Sequence, residues 1–207
     1  QPAKSVETLD AMLAVGQKKA PSSVHPIGSI LRKDWLPTGW ETEVQKYGLA
    51  PMVPMTSMES DRILPPRREP PSIEIVRIGD DRSARDLAML NAVAYAMPEE
   101  LFDCIATKTF WPSDCYGYVG YVDGRPVSSA AALSVHNTVY IALVATAPDQ
   151  QGKGYAETVM RHAIVEGQKG MGWTRTTLHA SGAGKPLYKS MGYSIGPELV
   201  LVAPETG

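Results

Sequence analysis

The residues best placed to do chemistry are Gln151, Gly152, Lys153, Gly154, Tyr155 and Ala156. Ahead of them, from Val139 to Thr146, runs an apolar stretch of β-formers that ends at Pro148. Behind them, Val159, Met160, Ala163, Ile164 and Gly167 recur at helical steps. A strand therefore enters a glycine turn, and the turn opens a helix. The first turn of a helix has free N–H groups and the positive end of the macrodipole. Glycines remove the Cβ atoms that would hold an anion away. Together these parts make a cradle for a phosphate.

Two common phosphate binders do not fit. A Walker loop needs G-x-x-x-x-G-K-[ST]. The run from Ser181 to Pro186 comes near, but Pro186 stands where a hydroxyl must hold magnesium, and His179 replaces the first glycine. A Rossmann fingerprint needs G-x-G-x-x-G inside a parallel unit. Here Gly152-x-Gly154 is followed by Glu157, and the preceding strands read as antiparallel.

The pattern Gln151-x-x-Gly154-x-Ala156 resembles the [Q/R]-x-x-G-x-[G/A] signature of the GNAT acetyltransferase superfamily. A second block, Leu187-Tyr188-x-x-x-Gly192-Tyr193, resembles the family's L-Y-x-x-x-G-[FY] helix end. The resemblance covers roughly residues 73–204. It implies a GNAT-like acyl-CoA N-acyltransferase fold, with acetyl-CoA as co-substrate and no metal. Backbone groups of Val144 and Thr146 would pair with the pantetheine arm, as a strand edge pairs with a peptide. N–H groups from Gln151 to Ala156 would bind the pyrophosphate. Ser181, where the family often has Asn, would hydrogen-bond the cofactor or a water. Tyr188 would protonate the leaving thiolate.

The implied reaction is direct attack by an amine on the thioester, in a ternary complex. It needs orientation, oxyanion stabilisation, and one proton removed and one returned. A phenol suits the last task, since its pKa of ~10 is near or above that of a thiol. Some family members carry a carboxylate base on the strand before the phosphate turn. The stretch Val139 to Thr146 has no acid, which leaves water or His136 as the proton acceptor. The acceptor is an amine of a small molecule or a peptide. Glu99 and Glu100, beside Tyr95, Phe102 and Trp111, would attract and stack a cation there; the plainer reading is a solvated helix start. The alternative for the whole domain is an acyl-CoA-binding sensor with little turnover.

Plainer readings stand beside the other candidates. Tyr188 also fits a core aromatic, His136 a turn, His162 a solvated helix face and His179 a packed strand end. His25 has no ligand set around it.

The elements that must position these residues follow from patterning. Residues 73–78 read as a strand, and Ala84 to Met97 as a helix limited by Pro98. Residues 98–115 read as a loop with a short helix. Strands over 116–122, 127–135 and 139–146 form an antiparallel meander, turned at Asp123-Gly124 and at His136-Asn137-Thr138. The amphipathic helix follows and ends at Gly170 and Gly172. A strand (173–178), a helix (183–191) and one or two strands (193–202) complete the chain. The order β-α-(α)-β-β-β-α-β-α-β is α/β in class, a mixed, mostly antiparallel sheet flanked by helices.

Four prolines in Ile63 to Ser72 mark a linker (63–72) between an N-terminal piece (1–62) and the main domain (73–207). The N-terminal piece reads as helix near Ser5 to Val15, helix near Ile27 to Trp35, and an extended run from Gly39-Trp40 to about Met55. It is either a lineage-specific extension or the tail of a degenerate GNAT-like repeat. The first residue is Gln1 rather than Met, so the start is treated as open.

Composition sets the outer limits. The chain has 207 residues, 43% hydrophobic and 20% charged, with a net charge of −2. No block of like charge points to nucleic acid or to a membrane surface. No apolar run reaches the ~20 residues of a membrane span, and no signal pattern opens the chain. Two cysteines, Cys104 and Cys115, fit neither a zinc site nor a disulfide framework, and point to a cytoplasmic setting. A sheet edge near the C-terminus is available to pair with a second copy as a homodimer.

Overall fold

The computed structural model describes residues 5–19 and 28–204. His25, one of the residues weighed above, lies outside them. The described chain holds α1 (Val6–Lys19), β1 (Ser29–Arg32), α2 (Trp40–Gln45), β2 (Leu49–Ser60), β3 (Glu74–Arg77), α3 (Asp81–Tyr95), β4 (Tyr116–Val122) and β5 (Arg125–Val135). β6 (Thr138–Thr146), α4 (Tyr155–Met171), β7 (Thr176–Ala180), α5 (Lys185–Ser190) and β8 (Ser194–Pro204) follow. The class is α/β, with mostly antiparallel strands flanked by helices, as patterning predicts. Two compact units divide the chain: residues 59–178 with 187–194, and residues 1–58 with 179–186 and 195–207.

The larger unit carries strands in the order β7-β6-β5-β4-β3. Tight hairpins set its register. Asp123 (φ 50°) and Gly124 (φ 75°) turn β4 into β5. His136 (φ 46°) and Asn137 (φ 61°) turn β5 into β6. Two successive positive φ angles match the strand twist. β6 then pairs with β7 in parallel, Val139 opposite Thr176 through Ile141 opposite Leu178.

Helices cover this sheet through small and apolar faces. α3 starts in a capping box: Asp80 Oδ1 accepts from the Ser83 N–H at 2.8 Å, and Ser83 Oγ accepts from the Asp80 N–H. Its buried face holds Ala84, Leu87, Ala88 and Asn91. It ends at Ala96 in the left-handed region, two residues before Pro98. α4 buries Val159, Met160, Ala163, Ile164 and Gly167, the stripe expected from spacing. Gly167 lies so close to the sheet that a Cβ there would meet Ala132 Cβ at 2.8 Å. Trp111 is fully buried in the α3 core, its indole N–H donating to the Ile105 carbonyl at 2.8 Å. That corrects its placement in an acceptor pocket. Proline and the absence of a clean period hid its burial.

The smaller unit carries the order β1-β8-β2. Its core joins Leu9, Leu13, Val44 and Leu49 to Val200 and Val202. Tyr47 donates to Asp10 Oδ1 at 2.6 Å, and that bond pushes the phenol up to about 12. Three expectations are corrected here. Over the described residues 28–35 there is no α-helix: Ser29–Arg32 is a strand, antiparallel to β8, followed by a 3-10 turn. Short apolar runs fit either period, and the pairing partner decides. Gly39 does punctuate the chain (φ 81°), but it starts the six-residue helix α2, and the strand begins only at Leu49. The edge near the C-terminus is not open, because β8 lies between β1 and β2.

Candidate functional site

β6 brings the first part of the site together. Its pairing with β5 slips between Ser129 and Ala131: Ser129 faces Ala145 while Ala131 faces Ala142, so one extra residue is held on β6. Leu143 sits at the slip with φ 54°, a left-handed angle uncommon for a branched side chain. The ladder with β7 stops at Ile141, so residues 142–146 lie beyond its last paired position.

Side chains fix the carbonyls of this bulge. Ser129 Oγ donates to the Leu143 carbonyl at 2.9 Å. Asn91 Nδ2 reaches the same oxygen at 3.5 Å and donates to Ser129 Oγ at 3.1 Å. The Tyr95 hydroxyl donates to the Val144 carbonyl at 3.1 Å. No peptide among the described residues is cis. In a trans peptide the carbonyl and the next N–H point opposite ways. With the Leu143 carbonyl turned toward β5 and α3, the Val144 N–H points away from both.

The second part is the glycine turn. Gln151 Nε2 approaches the Thr146 carbonyl at 3.4 Å, and Thr146 Oγ1 pairs with Ser128 Oγ at 2.9 Å. Gly152 (φ 76°) and Gly154 (φ 88°) are both left-handed, and Gly154 is the N-cap of α4. A side chain at either would be strained. The first backbone bond of α4 runs from the Thr158 N–H to the Gly154 carbonyl at 3.1 Å. The N–H groups of Tyr155 and Ala156 precede it, as the opening donors of a helix do. Lys153 Nζ donates to Gln150 Oε1 at 2.7 Å. Asp149 is held by both guanidinium nitrogens of Arg125, at 2.7 and 3.0 Å.

Tyr188 is buried on α5. Burial pushes its phenol far above the ordinary tyrosine range, and the neighbouring phenols of Tyr95, Tyr193 and Tyr140 add to that rise. Tyr193 packs edge-on against it at 6.1 Å between ring centres. A neutral phenol held this way keeps its proton at neutral pH.

The remaining candidates have these surroundings. Ser181 Oγ accepts from the Gly184 N–H at 3.3 Å, shaping the turn before α5 in the smaller unit. His136 stands at the exposed β5–β6 hairpin tip, about 20 Å along the strand from Leu143 by strand rise. His162 is half-buried on α4 and packs edge-on against Tyr118 at 4.6 Å. Its position one step off the apolar stripe gave no warning of that contact. Burial lowers the pKa of His179. Glu99 and Glu100 are exposed in the first turn of a 3-10 helix. Asn91, Tyr95, Ser129 and Leu143 were missed from sequence. One signal was available: Asn91 interrupts an apolar helix face, and Tyr95 follows it one turn later.

Residues 113–195 match the family model described as "Acetyltransferase (GNAT) domain". The match contains the bulge, the glycine turn and Tyr188. This segment is a GNAT acetyltransferase domain.

A search of curated proteins finds no match. Solved structures agree on the fold. A GCN5-related N-acetyltransferase from Kribbella flavida superposes with a TM-score of 0.63 at 16% identity, covering 100% of this chain and 77% of its own. A protein of unknown function from Staphylococcus epidermidis gives 0.64 at 14% identity, with coverage of 98% and 82%. A GCN5-related N-acetyltransferase from Sphaerobacter thermophilus gives 0.57 at 17% identity, with coverage of 95% and 64%. At such identities the likeness is one of fold. Among the described residues, no helix of the GNAT domain or of the rest is long and apolar enough to cross a membrane.

Proposed function

We propose that the GNAT domain transfers the acetyl group of acetyl-CoA to an amine by direct attack within a ternary complex. The observation that carries this reading is the succession of the bulged β6 and two left-handed glycines at the start of α4. Residues 142–146 have an edge beyond the β7 ladder, which suits the amide-bearing pantetheine arm. Val144 and Thr146 lie on that edge. The N–H groups from Gln151 to Ala156 suit the pyrophosphate. In the transfer, the amine nitrogen bonds to the thioester carbon and the carbon–sulfur bond breaks. The thiolate takes the Tyr188 proton, the ammonium proton leaves to water, and the Tyr188 phenolate regains a proton from water. Ser181, at the turn into α5, would hydrogen-bond the cofactor or a water.

β6 carries no acid, which also favours a second reading: an acyl-CoA-binding sensor with little turnover. The free thiols Cys104 and Cys115 fit a cytoplasmic setting. For residues 1–62 we favour the tail of a degenerate repeat over a plain extension. The succession of α2, left-handed Gly48 and β2 echoes that of α5, left-handed Gly192 and β8.

Calorimetric titration with acetyl-CoA, with ATP and NAD as controls, tests the reading. Acetyl-CoA alone should bind, and Gly154→Glu should abolish binding by placing a charged side chain at a φ of 88° in the cradle. Absence of wild-type binding would remove both the enzyme and the sensor. Binding without thiol release across a panel of amines would leave the sensor.

A further inference from the structure

Asn91 is an odd occupant of the α3 core. It is fully buried, and its Oδ1 has no hydrogen-bond partner. A buried amide oxygen left so costs stability, whereas an apolar side chain of the same shape would not. The amide nitrogen accounts for its presence. It donates to the Leu87 carbonyl at 2.9 Å and to Ser129 Oγ at 3.1 Å, and reaches the Leu143 carbonyl at 3.5 Å. By donating to Ser129 Oγ, it directs the serine's own hydrogen at Leu143 O, 2.9 Å away. Ser129 is also fully buried. Two buried donors therefore converge on one carbonyl, at a residue held at φ 54°.

We propose that Asn91 and Ser129 are positioning residues for acetyl transfer. They lock the 143–144 peptide so that the Val144 N–H faces the uncovered side of β6 as the donor to the thioester oxygen. This rests on the acetyl-CoA reading above. Neither side chain touches substrate. Their role is to prevent the bulge from relaxing into a regular ladder, which would turn that N–H back toward β5. A preset donor aimed at a developing oxyanion lowers the barrier without reorganisation.

The design separates stability from function. In Asn91→Leu, Leu143 O keeps Ser129 and Leu87 O keeps its helix bond, while Ser129 Oγ loses the amide donor but keeps its own bond to Leu143 O. The unpartnered Oδ1 disappears. The variant should melt no lower than wild type. The probe is acetyl-CoA labelled with carbon-13 at the acetyl carbonyl, followed by infrared difference spectroscopy on the full chain. Bound to wild type, the thioester stretch should fall below that of the free compound. In Asn91→Leu, Kd should stay within about threefold, while most of that shift is lost. Ser129→Ala removes the other donor without altering α3 and should lose part of the shift, so the test does not depend on one variant folding. A stretch unmoved in both variants while acetyl-CoA stays bound would overturn the proposal, as would a lower melting point as the sole effect. A bound wild type whose stretch matches free acetyl-CoA overturns this proposal and leaves the acetyl-CoA reading standing. No binding by wild type takes both down.

Discussion

At Tyr188, burial fixes the protonation state of one side chain. Its ordinary value is 10.0, and desolvation raises it well beyond that. Through the neutral range the phenol stays protonated, the form that the proposed acid role requires. Tyr188→Phe should lower kcat by about 100-fold while leaving acetyl-CoA affinity unchanged, measured by thiol release and calorimetry. The same shift links to stability. Below pH 10.0 folded and unfolded phenols both carry the proton, so pH has no effect through this group. Above it the unfolded phenol ionises first, and stability falls as pH rises. Urea midpoints at alkaline pH should drop less steeply in Tyr188→Phe than in wild type. The tyrosine and both glycines were legible in sequence because each belongs to a short motif. The Asn91–Ser129 pair was not, since 38 residues separate them and only the packing of α3 on β5 joins them.

At the scale of elements, the site depends on α4 lying close to the sheet. Gly167 permits that approach, with Ala132 Cβ and Val139 Cγ1 at 2.8 and 3.1 Å from where its Cβ would stand. Gly167→Leu should cost about 3 kcal/mol by overpacking, read as a shifted urea midpoint. The period of 3.6 made α3 and α4 readable, and the Asp123-Gly124 and His136-Asn137 turns made the β4–β5–β6 meander readable. Patterning failed where elements are short. Ser29–Arg32 has four residues, too few to show a period, and antiparallel pairing with Leu199–Val202 makes it a strand. Trp40–Gln45 is one and a half turns of helix formers that a glycine happens to open. The bulge was invisible, because an alanine-rich strand gives no sign of where its register slips.

Across the whole molecule, the chain's two ends meet in one unit. Val200 and Val202 on β8 pack with Leu9, Leu13, Val44 and Leu49, and β1 hydrogen-bonds to β8. Deleting residues 1–58 would strip β8 of its neighbours and expose that apolar face. Such a chain should elute as aggregate in size-exclusion chromatography, where the full chain elutes as a defined species. A monodisperse, acetyl-CoA-binding truncation would show that the smaller unit is dispensable to the GNAT domain.

The sequence alone determined the local decisions. Glycines at positive φ, hairpin turns, the amphipathic stripe of α4 and the two family motifs are all set by neighbours in the chain. Only the tertiary structure decided what distant segments impose. Examples are the slip at Leu143, the clamp from Asn91 and Ser129, the burial of Trp111 and the joining of the N-terminal piece to β8. The reason is physical. Backbone sterics act over a few residues, whereas register, burial and hydrogen-bond partners are settled by whichever surface arrives from elsewhere in the chain.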